Sequence, residues 1–431
     1  MKGIEPLRCL AWVLLCSFFA LGLLVGGVIS ISAFSAGALG LAIGIRHRLF
    51  SSLSREEKWL AASFGAFVLV SLLSALFAGF HEGTLTELEA CLRYLLVVPI
   101  LVLVRWTRPP DGLVWVAMMI GAAAAGSYVL GIAVIDSFGA ARFTSGGLRS
   151  YLFFGAGTVT LGFASLMAYR WCRARGRLFS VLPLIALLLG LLAVMASGAR
   201  SAWLALPALI FLVALVPSRV LPGALRVGLV GSIVVVGGAA WFVPQTRVAD
   251  RVMVGVENIR GYQEEDGHNT SVGARLEMWK GAGMIFRDHP IMGVGPAGYE
   301  PALAELVRDG HVRKGAERHD HPHNEYLAVA VSRGALGLMA LVLLLGVPGL
   351  LFWRAGRSLS PDAAAFAFAG LLMVAAFAVY GLANTLSVRT FYITWYTMSV
   401  SLLYGMVQLA QAREGSCALC DRAEAPATGG K

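Results

Sequence analysis

The sequence predicts an all-α polytopic membrane protein of about twelve transmembrane helices, and three observations predict it. Of 431 residues, 58% are hydrophobic and only 14% charged, with a mean hydropathy of +0.73. Such a chain lacks the polar surface a soluble globule needs. Apolar runs of about 17–25 residues, the length that crosses a hydrocarbon core of about 30 Å, recur along it. Clusters of Lys and Arg fall at alternate ends of those runs.

Taken in order, the runs predict helices over 9–25, 28–45, 59–79, 86–104, 113–135, 150–169, 179–197, 202–217, 224–243, 322–353, 363–384 and 390–412. Residues 9–45 carry no charge, so the split at Gly26-Gly27 rests on length alone. The first nine helices (1–243) have short connections, whereas a polar loop of 78 residues (244–321) separates the ninth from the tenth. Within it, Thr270 or Ser271 caps a helix expected over about 272–286, stopping near Asp288 because His289 precedes Pro290. Gly293, Gly295 and Pro296 predict a turn, and a second short helix is expected over about 299–308. Helices ten to twelve fill 322–412, and 413–431 is expected to be a disordered tail.

Orientation follows from charge. Lys2 and Arg8, the Arg46–Lys58 cluster, Arg105 and Arg108, the Arg170–Arg177 cluster, Arg219 and Arg226, Arg354 and Arg357, and the tail's Arg413, Arg422 and Lys431 share one side. The opposite short loops hold only Arg142, Arg149, Arg200 and Arg389. The positive-inside rule then places both termini in the cytoplasm and the 244–321 loop outside. On that reading the first span is not a cleaved leader, since its removal would invert every later loop. The net charge of +10 restates the same bias, and no nucleic-acid motif accompanies it. Cys417 and Cys420 form a lone Cys-x-x-Cys. Two thiols fall short of the four ligands a structural zinc takes, so incidental thiols are the simpler reading.

The tenth helix exceeds the bilayer. Its 32 residues (322–353) reach about 48 Å at about 1.5 Å per residue, although 335–353 alone would cross. The excess is expected to project outside, keeping Arg333 near the interface and lifting His323 about 15 Å beyond it.

His323 stands beside Asn324, with His321 two positions back across Pro322. One reading makes it a capping or loop-bonding residue. The other makes it a base, because a helix start with Pro322 in its first turn disfavours imidazolium and leaves a neutral ring. Arg200, in the tight turn Ser197-Gly198-Ala199-Arg200-Ser201, is either a snorkelling anchor or an anion clamp at headgroup depth. Arg275 cannot face Glu277 on one helix, since i and i+2 diverge, so its partner must come from elsewhere. Trp279, one turn on, shares its face and is consistent with a helix resting in the interface. Arg142 and Arg149, at the outer start of helix six, and Arg389, at the start of helix twelve, are weaker candidates for the same anion site. Arg93 has Glu89 four residues earlier and reads as a structural pair. His289 and His319 lack metal-ligand spacing, and no Asp-x-Asp pair stands on the outer side to hold a cation on a diphosphate.

These residues resemble the O-antigen ligases (WaaL) and related Wzy_C-type membrane glycosyltransferases. That family's pattern of His, then Asn, Ser or Gln, nine residues, Gly, two residues and Gly, Thr or Tyr is met by His323, Asn324, Gly334 and Gly337. Its Ser-x-Ser-Arg-type turn is similar to Ser197–Arg200, with Ala199 in place of the second serine. Its Arg-x-x-x-Trp, His-Pro and Gly-x-Gly run resembles Arg275 with Trp279, His289-Pro290 and Gly293-Val294-Gly295. The resemblance covers the span layout and, in motif detail, roughly 197–337.

It implies a GT-C-like, metal-independent, inverting glycosyltransferase of the bacterial inner membrane, with no cofactor and a site facing the periplasm. The donor implied is a polysaccharide on undecaprenyl diphosphate, and the acceptor a sugar hydroxyl of lipid A core. By the residue match, Arg200 and Arg275 neutralise the diphosphate, His323 deprotonates or orients the acceptor hydroxyl, and Asn324, His321, Trp279, Arg142, Arg149 and Arg389 contribute to substrate binding. A polysaccharide polymerase of the same superfamily is the nearest alternative, followed by a protein O-oligosaccharyltransferase. A transporter fits less well, because no internal repeat pairs the halves and the polar residues gather at one face.

Overall fold

A computed structural model describes residues 4–135, 151–197, 199–242, 249–250, 253–254, 257, 271–314, 316 and 319–424. Every regular element among them is helical. The helices are α1 (Ile4–Leu21), α2 (Val28–Arg46), α3 (Arg55–Ala78), α4 (Thr84–Leu92), α5 (Val97–Thr107), α6 (Asp111–Ile135), α7 (Tyr151–Ser165), α8 (Tyr169–Arg173) and α9 (Leu182–Ala196). They continue with α10 (Arg200–Trp203), α11 (Leu206–Leu215), α12 (Gly223–Phe242), α13 (Ser271–Asp288), α14 (Tyr299–Arg308), α15 (Glu325–Gly356), α16 (Pro361–Tyr380) and α17 (Thr390–Glu424).

Local chemistry sets several boundaries. Gly27, at φ 84°, turns the chain between α1 and α2, at the split that length alone suggested. Ser54 and Glu57 close a reciprocal cap on α3: the Glu57 N–H donates to Ser54 Oγ at 3.2 Å and the Ser54 N–H to the Glu57 carboxylate at 2.6 Å. The helices expected over about 272–286 and 299–308 appear as α13 and α14. The last helix runs on to Glu424, past the boundary at 412 expected from hydropathy. Its sequence from 413 to 424 is polar but holds two Ala, a Leu, two Glu and two Arg, residues that favour a helix.

Helical segments lie at each of the twelve predicted positions, but they are not twelve equal rods. Among the described residues, six helices are long and apolar enough to cross a membrane: Val28–Arg46, Arg55–Ala78, Asp111–Ile132, Leu152–Arg173, Glu325–Gly356 and Pro361–Tyr380. Elsewhere the helices are interrupted, as where a 3-10 turn at Arg93–Leu96 separates α4 from α5. Hydropathy averages over such breaks, so twelve spans stand as an expectation from sequence. The buried core runs through the bundle, with Trp115 stacked on Phe366 at 4.2 Å and Phe18, Phe19 and Phe153 gathered around Trp395.

The tenth predicted span is corrected most. It is not a straight 48 Å rod, because Gly334 takes φ 62° and ψ −159° and breaks α15 into 325–333 and 335–356. The second piece alone is about 33 Å long, enough to cross. The loop fills the break. The Val294 N–H donates to Val331 O at 2.9 Å and the Gly295 N–H to Ser332 O at 3.0 Å, while the Ala335 N–H donates to Pro290 O at 2.8 Å and the Leu336 N–H to Ile291 O at 3.3 Å. A Cβ on Gly334 would lie 2.2 Å from Ile291 O, and one on Gly293 2.2 Å from Val331 O. Two backbones touch there, so neither position admits a side chain. Ser74 on α3 braces the joint, its Oγ lying 2.7 Å from Met292 O and 2.6 Å from Ser332 O.

Arg333 is likewise corrected. Rather than reaching an interface, it is 1% exposed. Its guanidinium donates to Ser71 Oγ and Ser332 Oγ, both at 2.7 Å, and to Cys91 Sγ at 3.4 Å, with Glu87 3.8 Å away and the Phe67 ring beneath it at 5.3 Å. The break at Gly334 turns this residue into the bundle.

Gly334→Ala is therefore expected to lower stability by at least about 2 kcal/mol, from left-handed strain plus overlap with Ile291 O. Gly346→Ala, whose Cβ meets nothing within 4 Å, should be neutral or stabilising by up to about 1 kcal/mol. Thermal melting of both variants in detergent checks the contrast, and equal melting of Gly334→Ala and wild type would refute the joint.

Candidate functional site

The site is assembled where the end of the 309–324 segment meets α13, the start of α15 and the 381–389 segment. Asn324 is the N-cap of α15: its Oδ1 accepts from the Leu327 N–H at 3.1 Å, and its Nδ2 donates to Leu382 O at 3.1 Å. The helix thus starts at Glu325, one turn later than the sequence suggested, and Pro322 precedes the cap rather than occupying the first turn. His323 sits just outside, at φ 51°, a left-handed conformation that costs a non-glycine residue strain and marks functional turns.

Glu325 closes the other wall. Its buried carboxylate accepts from the Leu386 N–H at 2.6 Å and the Ser387 N–H at 3.0 Å, while its own N–H donates to Gly381 O at 2.7 Å. From the opposite side, the Trp279 indole N–H donates to Pro322 O at 2.9 Å. Trp279 therefore fastens the histidine turn to α13. That helix packs Met278, Ala282 and Ile285 on Leu303, Val307 and Val331, so it rests on a small core of its own.

Three imidazoles meet in this frame. The His323 ring lies 4.6 Å from that of His321 and 5.4 Å from that of His319, centroid to centroid. His321 Nδ1 contacts the Asp320 carboxylate, and Arg389 Nη2 stands 4.0 Å from the same carboxylate. The His321 ring, helped by Arg389, holds the Asp320 carboxyl down at about 2 against the opposing effect of partial burial. Partial burial, then the charges of His321, Arg275 and His319, push the His323 imidazole down to about 4, with Asp320 opposing. At neutral pH His323 is a neutral ring able to accept a hydrogen bond, and burial is the first cause.

Of the sequence-predicted residues, the structure brings together His323, His321, Asn324, Trp279 and Arg389, and Arg275 acts on His323 through its charge. Arg200 opens the single turn α10, which packs on α7; its side chain lies outside the described residues, as do Arg142 and Arg149 entirely. Asp320 and Glu325 were missed by the sequence reading, although both flank the histidines in Asp320-His321-Pro322-His323-Asn324-Glu325. Arg93 pairs with Glu89 at 3.0 Å as spacing suggested. Among the described residues, no group of three or more His, Cys, Asp or Glu is placed to hold a metal ion.

The described residues thus define an all-helical, multi-pass membrane protein with a histidine and arginine site at one end of its bundle. Residues 184–342 match the Wzy_C family, described as O-antigen ligase, and over that stretch the chain carries an O-antigen ligase family domain. The matched stretch begins in α9, includes α10, α13 and the histidine turn, and ends beyond Gly337. A 164-residue segment is 29% identical to an uncharacterized protein of Haemophilus influenzae, covering 38% of this chain and 41% of that relative. The match therefore spans less than half of the relative's length.

The His323 imidazole gives up its proton more readily in the folded chain than in the unfolded one. Because the folded value lies below the unfolded one of about 6.5, the unfolded chain takes up the proton first. His323 therefore contributes stability that is present above about pH 6.5 and is lost as the pH falls toward about 4. Side-chain nitrogen NMR of histidine-labelled protein should show one imidazole still neutral at pH 5, and the signal should vanish in His323→Gln. An imidazole at 323 titrating near 6.5 would contradict the geometry.

Proposed function

We propose that this protein transfers a glycan from undecaprenyl diphosphate to a sugar hydroxyl of lipid A core, at the periplasmic face of the bacterial inner membrane, as an O-antigen ligase. The observation that carries this reading is the neutral, half-buried His323 with the charge of Arg275 acting on it and Arg389 4.0 Å from the neighbouring Asp320, inside the stretch that matches the family. The orientation, with both termini cytoplasmic, rests on the distribution of Lys and Arg.

The step joins the acceptor oxygen to the anomeric carbon as the bond from that carbon to the diphosphate oxygen breaks. The bonding pair leaves on the diphosphate, and the acceptor's proton passes to His323. Direct displacement inverts the anomeric centre and requires one base and a stabilised leaving group. Arg275, with Arg200 as a second candidate, neutralises the diphosphate, while Arg389 approaches through Asp320. A ring held down at about 4 is a weak base in the empty site. A bound diphosphate adds negative charge next to Arg275 and so offsets one of the repulsions that, behind burial, hold the His323 imidazole down. The base gains strength when the donor arrives.

A polymerase differs only in acceptor, taking a second lipid-linked glycan. Purified protein given undecaprenyl-diphosphate glycan and lipid A core separates the two readings. Joined product on the core supports ligation, and product formed only between two lipid-linked glycans transfers the assignment to polymerisation. His323→Ala should slow transfer by about 10²–10⁴, and Arg275→Ala by about 10²–10³, with Arg275→Lys intermediate because it keeps charge but loses the planar fork. Wild-type rates in either alanine variant remove that residue from the proposed mechanism.

Two further outcomes follow from the same chemistry. The acid limb of kcat/KM, which reports the free enzyme, should fall near pH 4 rather than 6.5, because protonation of His323 removes the acceptor for the proton. Chelation of divalent cations should leave the rate unchanged, since arginines neutralise the leaving group in this reading. Loss of activity on chelation, restored by Mg2+, would replace them with a metal.

A further inference from the structure

At the end of the bundle opposite the histidine site lies a second polar cavity of about 680 Å³, formed by the starts of α1 and α3, the end of α5 and residues 408–412 of α17. It is separated from the Gly334 joint by the length of α3, from Glu57 to Ser74, about 26 Å of helix. Arg8, Glu57, Arg105, Trp106, Arg108 and Gln408 supply its polar lining. Glu57 is 1% exposed, and both its carboxylate oxygens accept from Arg105 Nη1 at 2.9 Å. One carboxylate thus balances one arginine. Among the described residues no carboxylate lies within 4.0 Å of Arg8 or Arg108, so two positive charges face the cavity unbalanced.

The geometry is built rather than casual. Arg8 places its guanidinium carbon 5.6 Å from the centre of the Trp106 ring, which also stacks with His47 at 6.0 Å. Arg108 is the left-handed C-cap of α5, at φ 47°, its N–H donating to Val104 O at 2.9 Å, which fixes where its side chain leaves the helix end. Gln408 Oε1 is buried without a hydrogen-bond partner, an acceptor lacking a donor. Leu49, Val102 and Leu409 make the remaining wall apolar.

We infer that this cavity binds the headgroup of an anionic phosphodiester lipid bearing a free hydroxyl, of the phosphatidylglycerol type. The phosphate sits between Arg8 and Arg108, the headgroup hydroxyl donates to Gln408 Oε1, and the glycerol backbone and first chain carbons lie on Leu49, Val102 and Leu409. A soluble phosphate meets the same arginines but leaves the apolar wall and the Gln408 acceptor unfilled.

The test is native mass spectrometry of the detergent-purified full chain, titrated separately with phosphatidylglycerol, phosphatidylcholine and inorganic phosphate. The variants are Arg8→Gln with Arg108→Gln, and a control pair, Arg170→Gln with Arg177→Gln. The control arginines are exposed, lie outside the cavity and remove the same charge. The cavity pair should weaken phosphatidylglycerol by roughly thirtyfold, from about fivefold per arginine near an anionic lipid, and the control pair by less than about twofold. Gln408→Glu, which places a carboxylate in the cavity and leaves every arginine intact, should expel the lipid as well and serves if the double variant fails to fold. Equal loss in the cavity and control pairs would reduce the effect to diffuse surface attraction and overturn the site. Equal binding of phosphatidylcholine and phosphatidylglycerol overturns it too. Displacement of phosphatidylglycerol by inorganic phosphate at millimolar concentration assigns the cavity to a soluble phosphate and overturns the lipid assignment.

Discussion

The backbone joint at Gly334 is the constraint from which the rest of the candidate site follows. Within a bilayer a broken helix leaves peptide N–H and C=O groups without partners, and such groups are tolerated only where protein re-satisfies them. Here the 290–295 turn supplies the partners through four backbone hydrogen bonds, and Ser74 braces the same point from α3. The polar loop is thereby fixed to the membrane bundle by main chain rather than by side-chain contact. α13 runs directly into that turn, so Trp279 and Arg275 are carried to the histidine turn on a rigid support.

The joint also explains why the sequence was legible in some places and not in others. Helix positions could be read because apolar length and alternating Arg and Lys clusters are one-dimensional signals. His323, Asn324, Gly334 and Gly337 could be recognised by spacing, and so could Gly293 and Gly295. That the two glycine groups are halves of one contact could not be read, since the contact joins segments about forty residues apart through atoms every residue possesses. The misplacement of Arg333 has the same origin. Counting residues along a straight helix put it at an interface, and a single left-handed φ at Gly334 sends it inward instead. Asp320 and Glu325 were passed over for another reason: acidic residues in a polar loop are usually solvated, and only their contacts with His321 and with the Leu386 and Ser387 amides distinguish them.

A fully buried arginine is costly in a membrane bundle, and its surroundings show how the cost is met. Desolvation of a guanidinium exceeds what one ion pair returns. Arg333 therefore has two hydroxyls, a thiol and an aromatic face in addition to Glu87. Ser71 and Ser74, one turn apart on α3, divide the work, the first holding the guanidinium and the second the joint. The side chain of Arg333 and the main chain of Gly334 are consequently fixed to the same helix. Gly337 completes the arrangement, because a Cβ there would fall 2.3 Å from the Arg333 Cβ. The spacing between the two motif glycines is thus a packing requirement of the arginine between joint and bundle.

Rigid support bears on chemistry because an electrostatic site works best when its dipoles and charges need not reorganise during the reaction. Each wall around His323 is held by main-chain hydrogen bonds: Trp279 to Pro322, Asn324 to Leu382, and Glu325 to Leu386 and Ser387. The charges within are arranged with opposite local effects. Asp320 carries His321 and faces Arg389, whereas His323 meets only desolvation and cations apart from that one carboxylate. Adjacent histidines are therefore set apart in character by their neighbours, one against a carboxylate and the other poised as a neutral acceptor. In the proposed reaction a diphosphate entering beside Arg275 acts on the second, where the charge of Arg275 is felt. In that reaction, then, His323 is the group whose proton affinity a donor bound at Arg275 would raise.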